Sequence, residues 1–579
     1  MLINGAPINS ASLNSTSGGE SSVEPQPIVP GRAFRWRLVV LVNSVDMSAR
    51  LSGQVSIDRE RGAAGIASFT LHLQPGPVLP MDWVGRTVSI DYLTTTLGVT
   101  TIKRRYTGRV ITTEWDPLGR MLTCHCGDQL QQRIEAMSVA DVAALIPSFW
   151  SAYVFDAPEG RSRWTYAQER LGTIQQSLDS SAEGNLRLTS WYAGGEDYVF
   201  GTGTTIFDTV KVSYADLTSL TNKVEVEANY RFPRLHQRVQ GYTWVHPDML
   251  GFGGTQGFCA WRKHTSELPD IEMVESAATG AGFSILETAW ERLPLTDTNP
   301  CGDGIPWSNI YPDLLLGASI LGGRRFTQAV TEKYTLSVVA EQSIAQAGEV
   351  ISRQSLSIDY STDFSDKWES DAFGIDAKDA VPNELGVATG HIDERSESQR
   401  ASAFSCLLNQ AKTAIVLAHT ATTISWDVPT SMVLDVDLVH TLSVADQGVS
   451  ARARCSRVQD SFDLTRGSAI TTLSIAVMRG GGTISDALVP PAATSVEQDE
   501  NPAFIELATQ LGRLNDSPPY REELDGFAGN SDAGNNSLEG FPRRFQISSP
   551  EIPAEDRDES TVTVAAQYRV AIPNDHLEM

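Results

Sequence analysis

The chain has 579 residues, 41% of them hydrophobic and 20% charged, which is typical of a folded protein of several domains and excludes a largely disordered one. The formal net charge is −26, and residues 495–579 contribute 17 acidic against 6 basic side chains. Affinity for nucleic acid depends on lysine and arginine, so this balance argues against specific nucleic-acid binding. It favours solubility, or an acidic wall past which DNA slides without sticking.

No targeting or membrane-spanning segment is expected. The first 19 residues have neither the basic region nor the apolar core of a signal peptide, and the longest apolar run, LLLGASILGG, is far too short to cross a bilayer. Six scattered cysteines do not make a disulfide framework, which fits folding in a reducing cytoplasm. The expectation is therefore that the cysteines are structural thiols.

Residues 1–31 are rich in Ser, Asn, Gly and Pro and are predicted to form an extended N-terminal arm. Over residues 32–160 a first β module with adjacent helices is predicted, because short alternating stretches follow one another between turn residues. These stretches are RWRLVVLV, GQVSIDRE, ASFTLHLQP, TVSIDYL, RRYTGRVITTEW and MLTCHCGD. They indicate a small antiparallel barrel or sandwich. The hairpin loop is WDPLGR, with Asp116 and Pro117 starting the turn and Gly119 supplying a positive φ.

The last of these strands places two cysteines beside a histidine, which raises the question of a metal or redox site. Side chains alternate along a strand, so Leu122, Cys124 and Cys126 share one face. Thr123 and His125 take the other. A closed zinc site needs two more ligands, and the sequence offers no second Cys-x-x-Cys or His-x-x-x-His pair. Buried structural thiols are the favoured interpretation, with a cryptic metal site at Cys124 and Cys126 as the alternative.

Residues 161–232 are predicted to be an α+β connecting domain. Here and just before it, three helix starts are predicted from capping boxes: Asp128 with Gln131, Ser138 with Asp141, and Thr165 with Gln168. A strand is expected in EGNLRLTSWYA. In a second strand, TNKVEVEANYRF, Val224 and Val226 share one face, opposite two glutamates.

Residues 233–325 are rich in Trp, His, Gly and Pro and are predicted to be an insertion with long loops. Aromatic residues among glycines suit a surface that binds another protein or a ligand. The alternative is a loop-rich satellite packed by its own tryptophans. The stretch GFGGTQG follows no clear strand and carries no lysine, so a phosphate cradle is not expected there.

Residues 326–480 are predicted to be a second β module with one long helix. Its strands are QAVTEKYTLSVVAEQSI, RQSLSIDYSTDF, TISWDVP, LVHTLSVAD, GVSARARCSRVQDSFDL and SAITTLSIAVM. The helix lies in DERSESQRASAFSCLLNQAKTAIVLAHTAT and carries an apolar stripe of Phe404, Leu407, Leu408, Ala411 and Ile415. Residues 481–579 are predicted to be an acidic extended C-terminal tail with one short strand, STVTVAAQYRV. The fold class is therefore α+β and mainly β, with two β modules, flanking helices and extended termini.

The sequence contains no Gly-x-Ser-x-Gly, His-Glu-x-x-His or Walker motif, and no Gly-x-Gly-x-x-Gly between a strand and a helix. Asp435 and Asp437 are predicted to share one strand face, which could hold a cation or be solvated. His419 and His440 have no identifiable acidic or nucleophilic partner. No catalytic, cofactor-binding or metal-ligating residue is predicted, although a glycosidase pair of distant carboxylates stays open.

Several stretches follow one another in a characteristic order over residues 32–480. They are RWRLVVLVNSVDMSARLSGQVSIDRERGAAGIASFTLHLQP, then GRVITTEWDPLGRMLTCHCGDQLQQRIE, EGNLRLTSW and RRFTQAVTEKYTLSVVA, and finally the long helix with ISWDVP, DLVHTLSV and SAITTLSIAVM. In this order they resemble the tail-tip (baseplate) hub proteins of long-tailed bacteriophages and gene transfer agents. The first stretch is similar to the first barrel of that family, and the last group to its second barrel.

The resemblance implies two small antiparallel barrels of tail-tube type per chain, so that a homotrimer forms a ring of six barrels that converts a six-fold tube to a three-fold tip. It implies a non-enzymatic structural protein of the virion tail, made in the host cytoplasm. Such a protein closes the tail tube, contacts distal tail proteins, anchors the tape measure protein and attaches fibres or receptor-binding proteins, while DNA passes through the channel at ejection. The termini would reach neighbouring subunits and order on assembly. Some relatives bind an iron–sulfur cluster through four grouped cysteines; those of this chain are scattered, so no cofactor is expected.

Two other functions stay open at this point. A receptor-binding or glycan-binding tail protein would use the aromatic residues of the insertion: Tyr242, Trp244, Trp261 and Trp307. A tail-associated cell-wall hydrolase would require acidic residues in a cleft.

Overall fold

The computed structural model describes residues 2–3, 6–7, 26–28, 35–96, 99–216, 220–245, 268–295, 302, 304, 311–359, 381–382, 388–494, 504–506, 527–528, 545–547 and 558–579. Within these ranges the chain is mostly β with few helices, which confirms a β-rich α+β fold. The α-helices found there are α1 (Leu130–Glu135), α2 (Val139–Leu145), α3 (Arg163–Leu171), α4 (Ile271–Gly280), α5 (Glu341–Ala347) and α6 (Glu397–Ala418).

The strands before residue 220, as far as the structure describes them, are β1 (Leu2–Ile3), β2 (Ala6–Pro7), β3 (Gln26–Pro27), β4 (Arg35–Val42), β5 (Val45–Asp46), β6 (Leu51–Glu60), β7 (Ile66–His72), β8 (Thr87–Thr96), β9 (Val99–Asp116), β10 (Met121–Gly127), β11 (Gln176–Ser180), β12 (Leu186–Ser190), β13 (Tyr198–Phe200) and β14 (Lys211–Ser213). Those after residue 220 are β15 (Lys223–Val245), β16 (Ser284–Arg292), β17 (Leu315–Val339), β18 (Ile351–Asp359), β19 (Val381–Pro382), β20 (Ala388–Asp393), β21 (Thr422–Pro429), β22 (Thr441–Asp446), β23 (Val449–Asp463), β24 (Ser468–Val477), β25 (Phe504–Glu506), β26 (Phe527–Ala528), β27 (Phe545–Gln546), β28 (Ser560–Arg569) and β29 (His576–Glu578).

Strands from both ends of the sequence form one 15-stranded sheet. Its main path runs β14-β21-β24-β23-β6-β7-β10-β9-β8-β4-β5, so a late group of strands adjoins an early group. The two groups meet where β6 pairs antiparallel with β23, from Gln54 opposite Asp463 to Glu60 opposite Arg457. The two predicted β modules are therefore edge-to-edge parts of a single sheet.

All six strands predicted in the early module are confirmed as β4 and β6–β10. The hairpin turn between β9 and β10 is also confirmed, but the residue with positive φ is Arg120 (φ 50°) and not Gly119. Gly119 is required for another reason: a Cβ there would lie 2.4 Å from Oδ2 of Asp116. That carboxylate accepts hydrogen bonds from the backbone N–H groups of Leu118 and Gly119 and so holds the turn together.

One of the three predicted capping boxes is found. Ser138 caps α2, since its Oγ accepts a bond from the Asp141 N–H at 3.1 Å. The other two predictions are wrong. The N-cap of α1 is Gln129, whose backbone is left-handed, and the N-cap of α3 is Ser162, three residues before the predicted Thr165.

The predicted loop-rich insertion contains a long β ribbon instead. β15 and β17 pair antiparallel without interruption from Lys223 opposite Val339 to Val245 opposite Gly317. The predicted boundaries at residues 232/233 and 325/326 therefore fall inside strands. Glycine usually weakens a strand, but Gly322 in β17 is a place of close packing, because a Cβ there would lie 2.9 Å from Cβ of Phe283.

In the late part of the chain, the long helix is confirmed as α6, and every residue of its predicted stripe is buried. The stripe packs on the ribbon, where Val224, Val226 and Leu336 are fully buried. The strands β21, β22, β23 and β24 are also where the sequence predicts them, and they enclose a second core around Trp426. This explains their alternation of apolar and polar residues, since one face of each strand is covered.

Several described segments of the predicted tail and arm lie against the body of the same chain, whereas β1 and β2 at the start of the arm pair with each other in a separate two-stranded sheet. β28 pairs parallel with β17, and β29 pairs antiparallel with β23. Ile572 between them is buried, and a Cβ on Gly480 would lie 2.6 Å from its Cβ. In the arm, β3 pairs parallel with β13. These contacts differ from the expectation that the termini order only on neighbouring subunits.

No helix in the described part of the chain combines the length and apolar character needed to span a membrane.

Candidate functional site

The junction of the two strand groups is the candidate functional site, because it fixes how the early and late modules are presented. Beside the backbone ladder between β6 and β23, Gln54 Nε2 donates to Ser461 Oγ at 2.8 Å, and Arg457 forms an ion pair with Asp58. The ring of Trp36 packs within 5.9 Å of that of Phe462. Backbone, polar and aromatic contacts thus all cross the same line between modules.

A fully buried ion pair crosses this junction. Arg105 on β9 donates from Nε and Nη2 to the two carboxylate oxygens of Asp460 on β23, both at 2.8 Å, and each side chain is 1% exposed. Arg105 also donates from Nη1 to the Leu434 carbonyl at 3.0 Å. Thr471 donates its hydroxyl to Asp460 at 2.6 Å. This bidentate geometry holds the two modules in one fixed orientation.

A second set of charges links three parts of the chain. Asp437 accepts from Arg59 of β6 at 2.6 Å and from Arg187 of β12 at 2.8 Å, and Arg187 Nε also donates to Asp179 at 2.8 Å. Burial would raise the pKa of Asp437, but attraction to Arg59 and the hydrogen bond and charge of Arg187 hold that pKa well below its usual range. Asp437 is therefore an ionised bridge between the early strands, the connecting segment and the late strands.

A cleft of about 330 Å³ opens beside this network and is lined by charged and aromatic side chains, including Arg59, Lys103, Asp435, Asp437 and His440. Asp435 and Asp437 lie in the loop between Met432 and β22 and not on a strand face as predicted. Lys103 Nζ pairs with Asp435 at 2.7 Å. Both carboxylates therefore have a basic partner, which is largely buried for Asp437 and exposed for Asp435.

The prediction for the strand with paired cysteines is confirmed. Leu122, Cys124 and Cys126 are at most 2% exposed and belong to the early core, and Thr123 and His125 lie on the other face. Burial raises the pKa of the Cys124 thiol to about 12 and that of Cys126 still further. Over the described ranges, no three His, Cys, Asp or Glu side chains are placed to share a metal ion. Two other cysteines, Cys259 and Cys301, lie outside the described residues.

The two histidines singled out in the sequence have ordinary structural partners. His419, the C-cap of α6, lies with Nδ1 2.7 Å from the Ile415 carbonyl and Nε2 2.8 Å from Ser343 Oγ. Burial lowers its pKa. His440 accepts at Nδ1 from the Asp437 N–H at 2.9 Å, which braces the loop that carries this carboxylate. His419 therefore does have a hydroxyl partner, contrary to the expectation from the sequence, but both it and Ser343 are 2% exposed, so this pair is buried away from the surface.

Two of the four aromatic residues proposed for glycan binding are buried. Tyr242 is 3% exposed and Trp244 is fully buried, where it packs at 5.9 Å from the ring of Phe545. Both belong to a core shared by α4, β16 and β17. This agrees with the alternative of a satellite packed by its own aromatic residues. Trp261 and Trp307 lie outside the described residues.

Little in the sequence pointed to the junction residues. Arg105 and Asp460 are 355 positions apart, and each looks like an ordinary charge in a strand. Asp460 alone carried a partial signal: its neighbours two residues away, Val458 and Phe462, are apolar, which places this charged residue on the buried face of a strand. The corresponding neighbours of Arg105, Lys103 and Thr107, are polar.

No family model matches the chain, and no curated protein matches it. Similar solved structures include a tail protein from Neisseria meningitidis MC58, at 9% identity over 76% of this chain and 96% of that one, with a TM-score of 0.35. A 43 kDa tail protein of prophage MuSo2 from Shewanella oneidensis has 9% identity over 76% and 98%, with a TM-score of 0.35. An E. coli type VI secretion component, described as similar to bacteriophage T4 tail proteins, has 7% identity over 80% and 82%, with a TM-score of 0.25. These neighbours are described as two tail proteins and a type VI secretion component, but with TM-scores below 0.5 none of them supports an inference about function.

Proposed function

We propose that the chain is a structural protein of a phage tail tip, the trimeric hub of the baseplate. In this role three copies close the tail tube, anchor the tape measure protein, contact distal tail proteins and attach fibres or receptor-binding proteins. The chain is non-enzymatic and is built into the virion after synthesis in the host cytoplasm. The order of the sequence motifs over residues 32–480 is the starting point of this proposal.

The observation that carries the proposal is the edge-to-edge union of the early and late modules. β6 and β23 join the two groups through a continuous ladder, and Arg105 with Asp460 fixes them across it. One chain therefore presents two laterally joined groups of strands, which we propose are two similar tube-type modules. Three such chains supply the six β modules that a six-fold tube requires while keeping three-fold symmetry.

The charge of the chain supports a channel for DNA. A net charge of −26 repels the phosphate backbone, so DNA would pass along the channel without binding to its wall. The barrel closure of each module is part of the proposal and follows from the resemblance.

The test is the mass of the purified full chain in solution, measured by light scattering at several concentrations. The proposal predicts a species near three times 62.9 kDa. A dimer or a tetramer that persists at all concentrations would contradict a hub with three-fold symmetry.

A further inference from the structure

The part of the ribbon that packs on α6 is a four-stranded sheet in the order β28-β17-β15-β18. β15 and β17 are antiparallel, β18 is parallel to β15, and β28 is parallel to β17. The two outer strands therefore run in opposite directions and have nearly equal lengths, nine residues in β18 and ten in β28.

The outer edges of β18 and β28 have unused backbone groups. Val570 N–H donates to the Val339 carbonyl at 2.8 Å. The backbone N–H and C=O groups of even-numbered residues of β28 therefore bond to β17, and those of odd-numbered residues point away from β17, toward the open edge. The Val350 carbonyl accepts from Asn222 N–H at 3.1 Å. The backbone groups of even-numbered residues in β18 therefore face β15, and those of odd-numbered residues point toward the open edge. In the described part of the chain, no backbone or side chain satisfies the outward groups of residues 353–357 or 561–567.

β28 lacks the features that usually protect an open edge. Proteins blunt such edges with charges, proline or bulges, because a long regular edge pairs with other chains. From Ser560 to Tyr568 the strand reads STVTVAAQY, with no charge and no proline, and its pairing with β17 is regular throughout. Only its end is capped: the Asp486 N–H donates to the Arg569 carbonyl at 2.9 Å. An edge of this kind readily pairs with a strand of another chain.

We propose that the outer edge of β28 pairs antiparallel with β18 of a second copy of this chain. Following the residue pairs across the four strands, residue 351 of β18 lies in line with residue 569 of β28, and residue 359 lies in line with residue 561. An unshifted pairing therefore sets Ser355 opposite Ala565, two residues whose backbone groups both point outward. The same pairing sets Leu356 opposite Val564, and both of these side chains face the core against α6. Hydrogen bonding and side-chain direction thus agree in one register.

The contact joins two different edges, so it is head to tail, and it either closes into a ring or continues as a filament. Closure at three copies rests on the proposed function. The ring would then contain four strands from each copy and no open edge at this level. The ribbon, and not the large sheet alone, would hold the assembly together.

The pairing is tested by cross-linking the full chain with Ser355→Cys and Ala565→Cys, in a background with Cys259→Ser and Cys301→Ser. Both positions are exposed, and within one chain they lie on opposite edges of four strands, about 14 Å apart. A short bis-maleimide reagent should join neighbouring copies, and denaturing gels should show covalent dimers and trimers. Each single-cysteine variant is the matched control and should give no such ladder.

Edge-blocking variants provide the second readout. Thr563→Pro and Ser355→Pro each remove an outward N–H and no bond within the chain, so the fold is retained and light scattering should show loss of the trimer. Thr563→Val and Ser355→Val keep the N–H group and should leave the mass unchanged. Thermal unfolding of all four variants shows whether the fold is intact.

The possible results separate this inference from the proposed function. A ladder that stops at trimer supports both, and a ladder that extends beyond trimer supports the edge pairing but contradicts a closed trimeric hub. A trimer that does not cross-link and survives both proline variants overturns the edge pairing and leaves the hub standing. A protein that stays monomeric and uncross-linked at all concentrations, for example because its own residues 495–557 cover the edge, also overturns it.

Discussion

Removing Arg105 should loosen the junction between the modules far more than its small number of contacts suggests. In Arg105→Met, the carboxylate of Asp460 remains 1% exposed without its cation, with only the hydroxyl of Thr471 as a donor among the contacts described above. Loss of one partner from a buried pair costs about 3–5 kcal/mol. Because the pair spans β9 and β23, this cost should appear as local opening between the early and late strands.

Hydrogen exchange followed by mass spectrometry measures that opening on peptides from β6 and β23. A loss of about 3–5 kcal/mol corresponds to exchange roughly 10² to 4 × 10³ times faster, since 1.4 kcal/mol is tenfold. The double variant Arg105→Met with Asp460→Leu removes both charges and should recover much of the loss. Lys103→Met, which breaks the exposed pair with Asp435, is the matched control and should cost less than about 1 kcal/mol. Equal effects of Arg105→Met and Lys103→Met would refute the reasoning.

Three further predictions concern other parts of the fold. The pKa of Asp437 is lowered in the folded chain, so its contribution to stability is complete above its unfolded pKa near 3.8 and is lost as pH falls below that value. Arg187→Gln removes one cause of the lowered pKa and should make this loss of stability in acid smaller. Melting curves recorded from pH 6 to pH 2 measure the difference. Gly480→Ala should destabilise the C-terminal strands by about 1–3 kcal/mol, because its Cβ meets Ile572, and limited proteolysis should then release the end of the chain faster. Cys124 and Cys126 should resist iodoacetamide at pH 8 until the protein is unfolded in urea, and peptide mapping of a rapidly modified native thiol at either position would contradict their burial.

The strands of the large sheet could be predicted because one face of each is covered. In β10, the alternation of Leu122, Cys124 and Cys126 with polar residues reports this one-sided burial directly. The pairing of β6 with β23 could not be predicted in the same way. Every strand edge presents the same backbone N–H and C=O groups, whatever its sequence. The alternation of apolar and polar side chains therefore identifies a strand but not the strand that pairs with it.

One end of the ribbon was predicted, in TNKVEVEANYRF and QAVTEKYTLSVVAEQSI, but the part between residues 233 and 325 was missed because its sequence contains residues that usually end strands. Pro233 lies within β15 and Gly322 within β17, and residues of both kinds contributed to the composition from which loops were predicted. Their local preferences are overridden by a ladder of 23 residue pairs and by the close approach of Phe283. The candidate site was missed because its members, Arg105 and Asp460, meet only in the folded chain.

Electron microscopy of the purified protein tests the central claim most directly. Class averages viewed down the symmetry axis should show a closed ring of six similar lobes related by three-fold symmetry, two lobes from each chain. Particles with two joined lobes and no ring, at concentrations where light scattering reports an assembled species, would contradict the hub.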